Sequence, residues 1–144
     1  MNILLKVVLL VCVLKASGKP ITPEEGQAMF LDILNNCKGA EGASEDDALG
    51  IMTHSIPTTK TGSCLNICVM EKTGIVKDGK FSLEGAVQIA GMGGDPQKAT
   101  NIATLGAECV SLVGADRCDL GTKIMECLHK GSAALGINPA TDLM

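Results

Sequence analysis

The chain has 144 residues, a length suited to one domain, and carries 12 basic side chains against 16 acidic ones. That acidic balance argues against nucleic acid, which is bound through clustered positive charge. With no Trp, no Tyr and only two Phe, the core must be built from Ala, Leu, Ile, Val and Met, which offer few large anchors.

The N-terminus opens with Lys6, the apolar run Val7–Leu14 and the small residues Ala16-Ser17-Gly18. This is the pattern of a cleaved secretory signal over residues 1–18. The run falls short of the roughly 20 residues that span a bilayer, and no later stretch reaches that length, so no stable membrane insertion is expected. The mature chain, 19–144, then keeps 10 basic and 16 acidic residues, a net charge of −6. Cys12 leaves with the signal and six cysteines remain, in a compartment where disulfides form and persist.

The mature chain reads as successive helices. Thr22-Pro23-Glu24-Glu25 supplies an N-cap, a first-turn Pro and a capping-box Glu. Met29, Ile33 and Cys37 follow on one face, with breaks expected at Gly39 and Gly42. Ser44 and three acids start a second helix carrying Ala48, Ile51, Met52 and Ile56 and stopped by Pro57. A third is expected over about residues 62–73. Lys77-Asp78-Gly79-Lys80 has turn composition. Ser82 caps a fourth helix to about Gly91, with Leu83, Val87 and Ala90 inward. Asp95-Pro96 starts a fifth, to about Val113. Asp119 caps a sixth with Ile124, Cys127 and Leu128 on one face. The segment 131–144 reads as a less regular C-terminal tail. No stretch sustains a period-two pattern, so the expectation is an all-α domain of six or seven helices and no sheet.

The cysteine spacing is the most specific signal: Cys37-x26-Cys64-x3-Cys68-x40-Cys109-x8-Cys118-x8-Cys127. Six cysteines allow about fifteen pairings. Cys64 and Cys68 lie one helical turn apart and point the same way, so each can reach a different partner. Zinc fits poorly: the short gap is three residues, and only His54 and His129 could complete a site. No metal or cofactor is expected.

This framework, together with Glu71–Phe81 and the Thr22-Pro-Glu-Glu start, resembles the insect odorant-binding protein family, including its pheromone-binding and general odorant-binding group. The resemblance implies an interlocked pairing of Cys37 with Cys68, Cys64 with Cys118, and Cys109 with Cys127. It also implies helices around an apolar cavity that carries small hydrophobic ligands through aqueous fluid, outside the cell and in sensillum lymph if the protein is olfactory. A chemosensory receptor is the further partner implied, with monomer and homodimer both open.

Inward positions give the candidate walls of such a cavity: Met29, Ile33, Met52, Ile56, Val69, Met92, Val110 and Val113. Leu135 and Ile137 of the tail join them if the tail folds over the mouth as a lid, an entry that protonation of Asp142 and of the terminal carboxylate would ease. Few aromatic residues favour aliphatic over aromatic cargo. Met at helical spacing is more often plain core packing than ligand contact. His54 and His129 read as solvated residues at helix C-termini, where a cation is favoured.

Enzymatic chemistry lacks its parts. With six cysteines bridged no thiol is free, there is no nucleophile-elbow motif, and Gly91-Met-Gly-Gly94 lacks the Lys-Ser/Thr of a phosphate loop. The competing reading is a secreted interaction or scavenger protein of salivary or reproductive fluid on the same scaffold.

Overall fold

The computed structural model describes residues 21–142, so the signal expected over 1–18 and the last two residues of the tail lie outside the described residues. Among the described residues, seven α-helices and one short hairpin follow in order: α1 (Pro23–Glu41), α2 (Glu45–Met52), α3 (Lys60–Thr73), β1 (Val76–Lys77), β2 (Lys80–Phe81), α4 (Leu83–Gly91), α5 (Pro96–Gly106), α6 (Arg117–Leu135) and α7 (Pro139–Asp142). A 3₁₀ turn, Ala107–Cys109, follows α5.

Most helix starts follow local chemistry. Thr22 Oγ1 accepts from the Glu25 amide at 3.2 Å while the Glu25 carboxylate accepts from the Thr22 amide at 3.0 Å. Ser44 and Asp47 repeat the capping box at α2, with both bonds at 3.0 Å. Ser82 caps α4, and Asp95 caps α5 by accepting from the Gln97 amide at 2.9 Å. At α3 the cap is Thr59, two to three residues ahead of the expected start.

Several boundaries differ from expectation. Gly39 stays inside α1, which ends at Gly42 in the left-handed conformation. α2 stops at Met52, well before Pro57, where Thr53 Oγ1 turns back to the Leu49 carbonyl and His54 takes φ +53°. Ile56 therefore sits in a loop. α5 ends at Gly106 instead of Val113, tightening into the 3₁₀ turn. Asp116, not Asp119, caps α6, accepting from the Asp119 amide at 2.9 Å.

The sixth helix also runs on through Gly131 to Leu135, so the tail begins at Gly136. Gly131 is there for close approach: a Cβ at this position would lie 2.8 Å from Leu105 Cδ2 of α5. His129 is accordingly not in a last turn. Its Nε2 lies 2.7 Å from the His54 carbonyl oxygen and ties α6 to the loop after α2. Both histidines are partly buried rather than solvated. Burial, with the nearby charges of His129 and Lys98, pushes the His54 pKa down.

The expectation of no sheet is corrected by a two-stranded antiparallel hairpin pairing Val76 with Phe81 and Lys77 with Lys80. Its turn residues Asp78 and Gly79 both have positive φ, 51° and 72°, the twist that two-residue hairpins require. Strands of two residues are too short to show an alternating pattern.

The third helix divides the interior. One face joins α1 and α2 in a smaller cluster: Leu34, Cys37, Ala48, Ile51, Leu65, Cys68 and Val69. The other face contributes Ile67 and Met70 to a larger cluster with the hairpin, α4, α5 and α6, including Val76, Phe81, Ile102, Leu105, Ile124 and Leu128. Asn66, buried on α3, donates to the Gly121 carbonyl of α6 at 3.0 Å. Disulfides Cys37–Cys68, Cys64–Cys118 and Cys109–Cys127 close separations of 31, 54 and 18 residues. Through Cys68 and Cys64, α3 is bonded both to α1 and to the start of α6.

Candidate functional site

A concavity lies on the α3–α6 side. Ile67 and Glu71 of α3, Val76, Gly79 and Lys80 of the hairpin, the loop Val110–Gly114, and Asp116, Arg117 and Leu120 line a groove of about 480 Å3. Its apolar walls are Ile67, Val76, Val110, Leu112, Val113 and Leu120, all aliphatic. A more open polar concavity of about 680 Å3 adjoins it and shares Glu71, Val76, Gly79 and Arg117.

The loop that forms one wall is held from several directions. Cys109 and Cys118, which bracket it, are both bridged. Lys123 donates to the Val113 carbonyl at 3.1 Å, and the Ala115 amide donates to Asp119 Oδ2 at 2.7 Å. That bond and the neighbouring Lys123 ammonium keep the Asp119 carboxyl below the usual carboxylate range. Gly114 packs so closely that a Cβ would stand 2.4 Å from the Leu120 nitrogen. The wall is thus preorganised while its side chains stay accessible: Val110 is 45% and Val113 78% exposed.

Charges rim the groove in pairs. Arg117 donates to both carboxylate oxygens of Glu71, at 2.7 and 3.4 Å, and reaches Glu41 of α1 at 2.8 Å. The Glu71 hydrogen bond, helped by Glu41, raises the Arg117 pKa above its ordinary value. Lys60 donates to Asp116 at 2.7 Å and lowers its pKa. Each of these charges is satisfied within the protein. The lining contains no histidine or cysteine and one hydroxyl, that of Ser111. Among the described residues, no cluster of His, Cys, Asp or Glu could hold a metal ion.

Of the ten wall candidates read from the sequence, the groove brings together Val110 and Val113. Val69 is buried in the smaller core, and Ile33 packs against it. Ile56 and Ile137 pack against the larger core. Met29, Met52, Met92 and Leu135 lie on the surface outside the groove, all but Met92 about half exposed. No described residue of the tail lines the groove. The tail instead docks through α7, where Asn101 of α5 donates to the Asp142 carbonyl at 3.2 Å.

Sequence reasoning missed Ile67, Val76, Lys80, Leu112, Arg117 and Leu120. They come from four separate segments, so no local spacing joins them. The available signal was Cys109-x8-Cys118, a short apolar loop with a cysteine at each end.

Comparison with known proteins bears on the chain as a whole. Residues 21–131 match the model of the PBP/GOBP family. General odorant-binding protein 19d of Drosophila melanogaster is 29% identical over 132 residues, 88% of each chain. The odorant-binding protein dmelOBP28a of Drosophila melanogaster superposes with a TM-score of 0.69 at 24% identity, over 80% of this chain and 98% of that one, a likeness of fold. A protein described as fatty acid binding protein OBP56a, from the oral disk of the blowfly Phormia regina, gives 0.61 at 26% identity, over 81% and 99%.

Proposed function

The chain belongs to the PBP/GOBP family, and on that premise we propose that it is a secreted, non-enzymatic carrier of small hydrophobic, mainly aliphatic molecules. The observation that carries this reading is the groove: six aliphatic walls, no aromatic ring, and a rim whose charges are largely neutralised in pairs. Sites for small ligands have this make-up, apolar walls with few polar groups and volumes of roughly 300–1,000 Å3. The name of the similar blowfly protein, a fatty acid binding protein, supports an aliphatic cargo.

Desolvation supplies the affinity. Burying roughly 300 Å2 of alkyl surface yields about 7 kcal/mol at about 25 cal/mol per Å2. The costs of association and chain ordering offset part of this, so binding is weaker than the gross figure implies. Val110 and Val113 are among the ligand contacts in this reading. Residues 1–18 serve as the signal that sends the chain out of the cell, and no helix among the described residues is long and apolar enough to cross a membrane.

The test is displacement of a neutral fluorescent probe by linear aliphatic and by aromatic volatiles. Aliphatic compounds should compete better, and Val113→Asp, at a position 78% exposed, should weaken them several-fold without lowering the melting temperature. Consistently stronger displacement by aromatic compounds would overturn the aliphatic assignment. No probe binding would favour the interaction-protein reading.

A further inference from the structure

We propose that the hairpin cations Lys80 and Lys77 select an anionic head group, so that the preferred cargo is a linear aliphatic carboxylate lying with its chain in the groove and its head at the hairpin. The inference rests on the carrier reading above and assigns the polar end of the same site.

The first observation is an asymmetry among the charges at the groove. Arg117 is occupied by Glu71 and Glu41, and Asp116 by Lys60. Lys77 and Lys80 form no ion pair among the described residues. Asp78, in the turn between them, likewise has no ion pair there. Lys80 lines the apolar groove, while Lys77 lines the polar concavity that adjoins it.

The second observation is the register. Lys77 and Lys80 are direct partners across the hairpin. Like charges opposite one another repel, and a single anion bound near both would relieve that repulsion. Lysine is suited to this as a compact point charge on a flexible stem.

The third is preorganisation. Val76 and Phe81, the other cross-strand pair, are buried in the core, and the Ser82 amide donates to the Ile75 carbonyl at 2.7 Å behind them. The lysines therefore extend from a fixed backbone beside Val76, an apolar wall residue. The surrounding acids argue for a head of low charge. Glu71, Asp78 and Asp116 all lie at the two concavities, so a multiply charged phosphate meets repulsion that a carboxylate largely avoids.

Calorimetric titration with decanoate, 1-decanol, decyl phosphate and decylammonium tests this at low ionic strength and pH 7.5. Decanoate should bind about threefold to fivefold tighter than decanol, the size of an exposed charge pair, and decylammonium weakest. Added salt should narrow the gap. The double variant Lys77→Gln/Lys80→Gln should lose the preference for decanoate while keeping the affinity for decanol. Lys130→Gln, on the surface of α6 away from the groove, should leave the preference intact. Equal binding of decanoate and decanol, or a preference that survives the double variant, overturns the head-group assignment and leaves the carrier reading standing. Tighter binding of decyl phosphate than decanoate overturns the choice of carboxylate. Failure of all four compounds to bind overturns the carrier reading itself.

Discussion

The two sides of α3 solve the same problem by different means. On one side α1 and α2 enclose a small apolar cluster with one disulfide, Cys37–Cys68. Polar capping reinforces it: Asp47 of α2 accepts from Thr59 Oγ1 at 2.5 Å and Thr61 Oγ1 at 2.6 Å, joining the starts of α2 and α3. On the other side the larger cluster gathers the hairpin and three helices, with two disulfides. The groove lies on this second side. A rigid, stapled wall can hold exposed aliphatic side chains in place, whereas the smaller side exposes Met29, Leu49 and Met52 on short or singly tethered helices. The difference teaches that an accessible aliphatic surface here depends on what fixes the backbone beneath it.

Breaking the staples gives the largest expected effects. Cys64→Ser/Cys118→Ser removes a loop of 54 residues, worth about 4 kcal/mol on a chain-entropy basis, and should loosen both sides because α3 and α6 are shared. Cys37→Ser/Cys68→Ser should cost slightly less, about 3.5 kcal/mol, and hydrogen exchange should rise first in α1 and α2 while α5 and α6 stay protected. Equal loss of protection on both sides would erase the distinction between them.

Core truncation should follow. Ile124 and Leu65, both fully buried, anchor the larger and smaller clusters. Replacing either by Ala should cost about 2–5 kcal/mol in denaturant unfolding. Leu65→Ala should leave decanoate binding in place, because no residue of its cluster lines the groove.

The smallest effects are those of pH. The Thr59 and Thr61 hydroxyls hold the Asp47 pKa down to about 2, so its contribution is present above the usual carboxylate value of about 4 and lost as pH falls toward 2. Asp47→Asn should flatten that acid limb of a melting-temperature profile. His54 acts at milder pH. Its lowered pKa means the folded state resists protonation, so stability should decline as pH drops below the ordinary histidine value of about 6.5. His54→Gln should remove that decline; a profile unchanged between pH 7 and 5 would show that burial of His54 carries no such cost.

Much of this architecture was legible because its causes are local. Thr22, Ser44, Ser82 and Asp95 cap helices through their own neighbours, and those starts can be read off the chain. The cysteine spacing led to the family through a framework that covers nearly all of residues 19–144. Features decided by tertiary contact were not legible. Gly131 resembles a helix end but serves the approach of α5 to α6. α2 stops at Met52 because the chain turns left-handed at His54, whose carbonyl meets His129 far along the sequence. The candidate site was the least legible part. Val110 and Val113 carry a local signal in their cysteine-bracketed loop, whereas Ile67, Val76 and Leu120 become neighbours only when α3, the hairpin and α6 pack.

The central claim is that aliphatic cargo lies against the stapled loop and α3. Isotope-filtered nuclear Overhauser spectra of the protein with bound decanoate test it directly. The account predicts contacts from the ligand chain to the methyl groups of Ile67, Val76, Val110, Val113 and Leu120. Contacts confined to the methyl groups of Met29, Met52 and Met92 would contradict it.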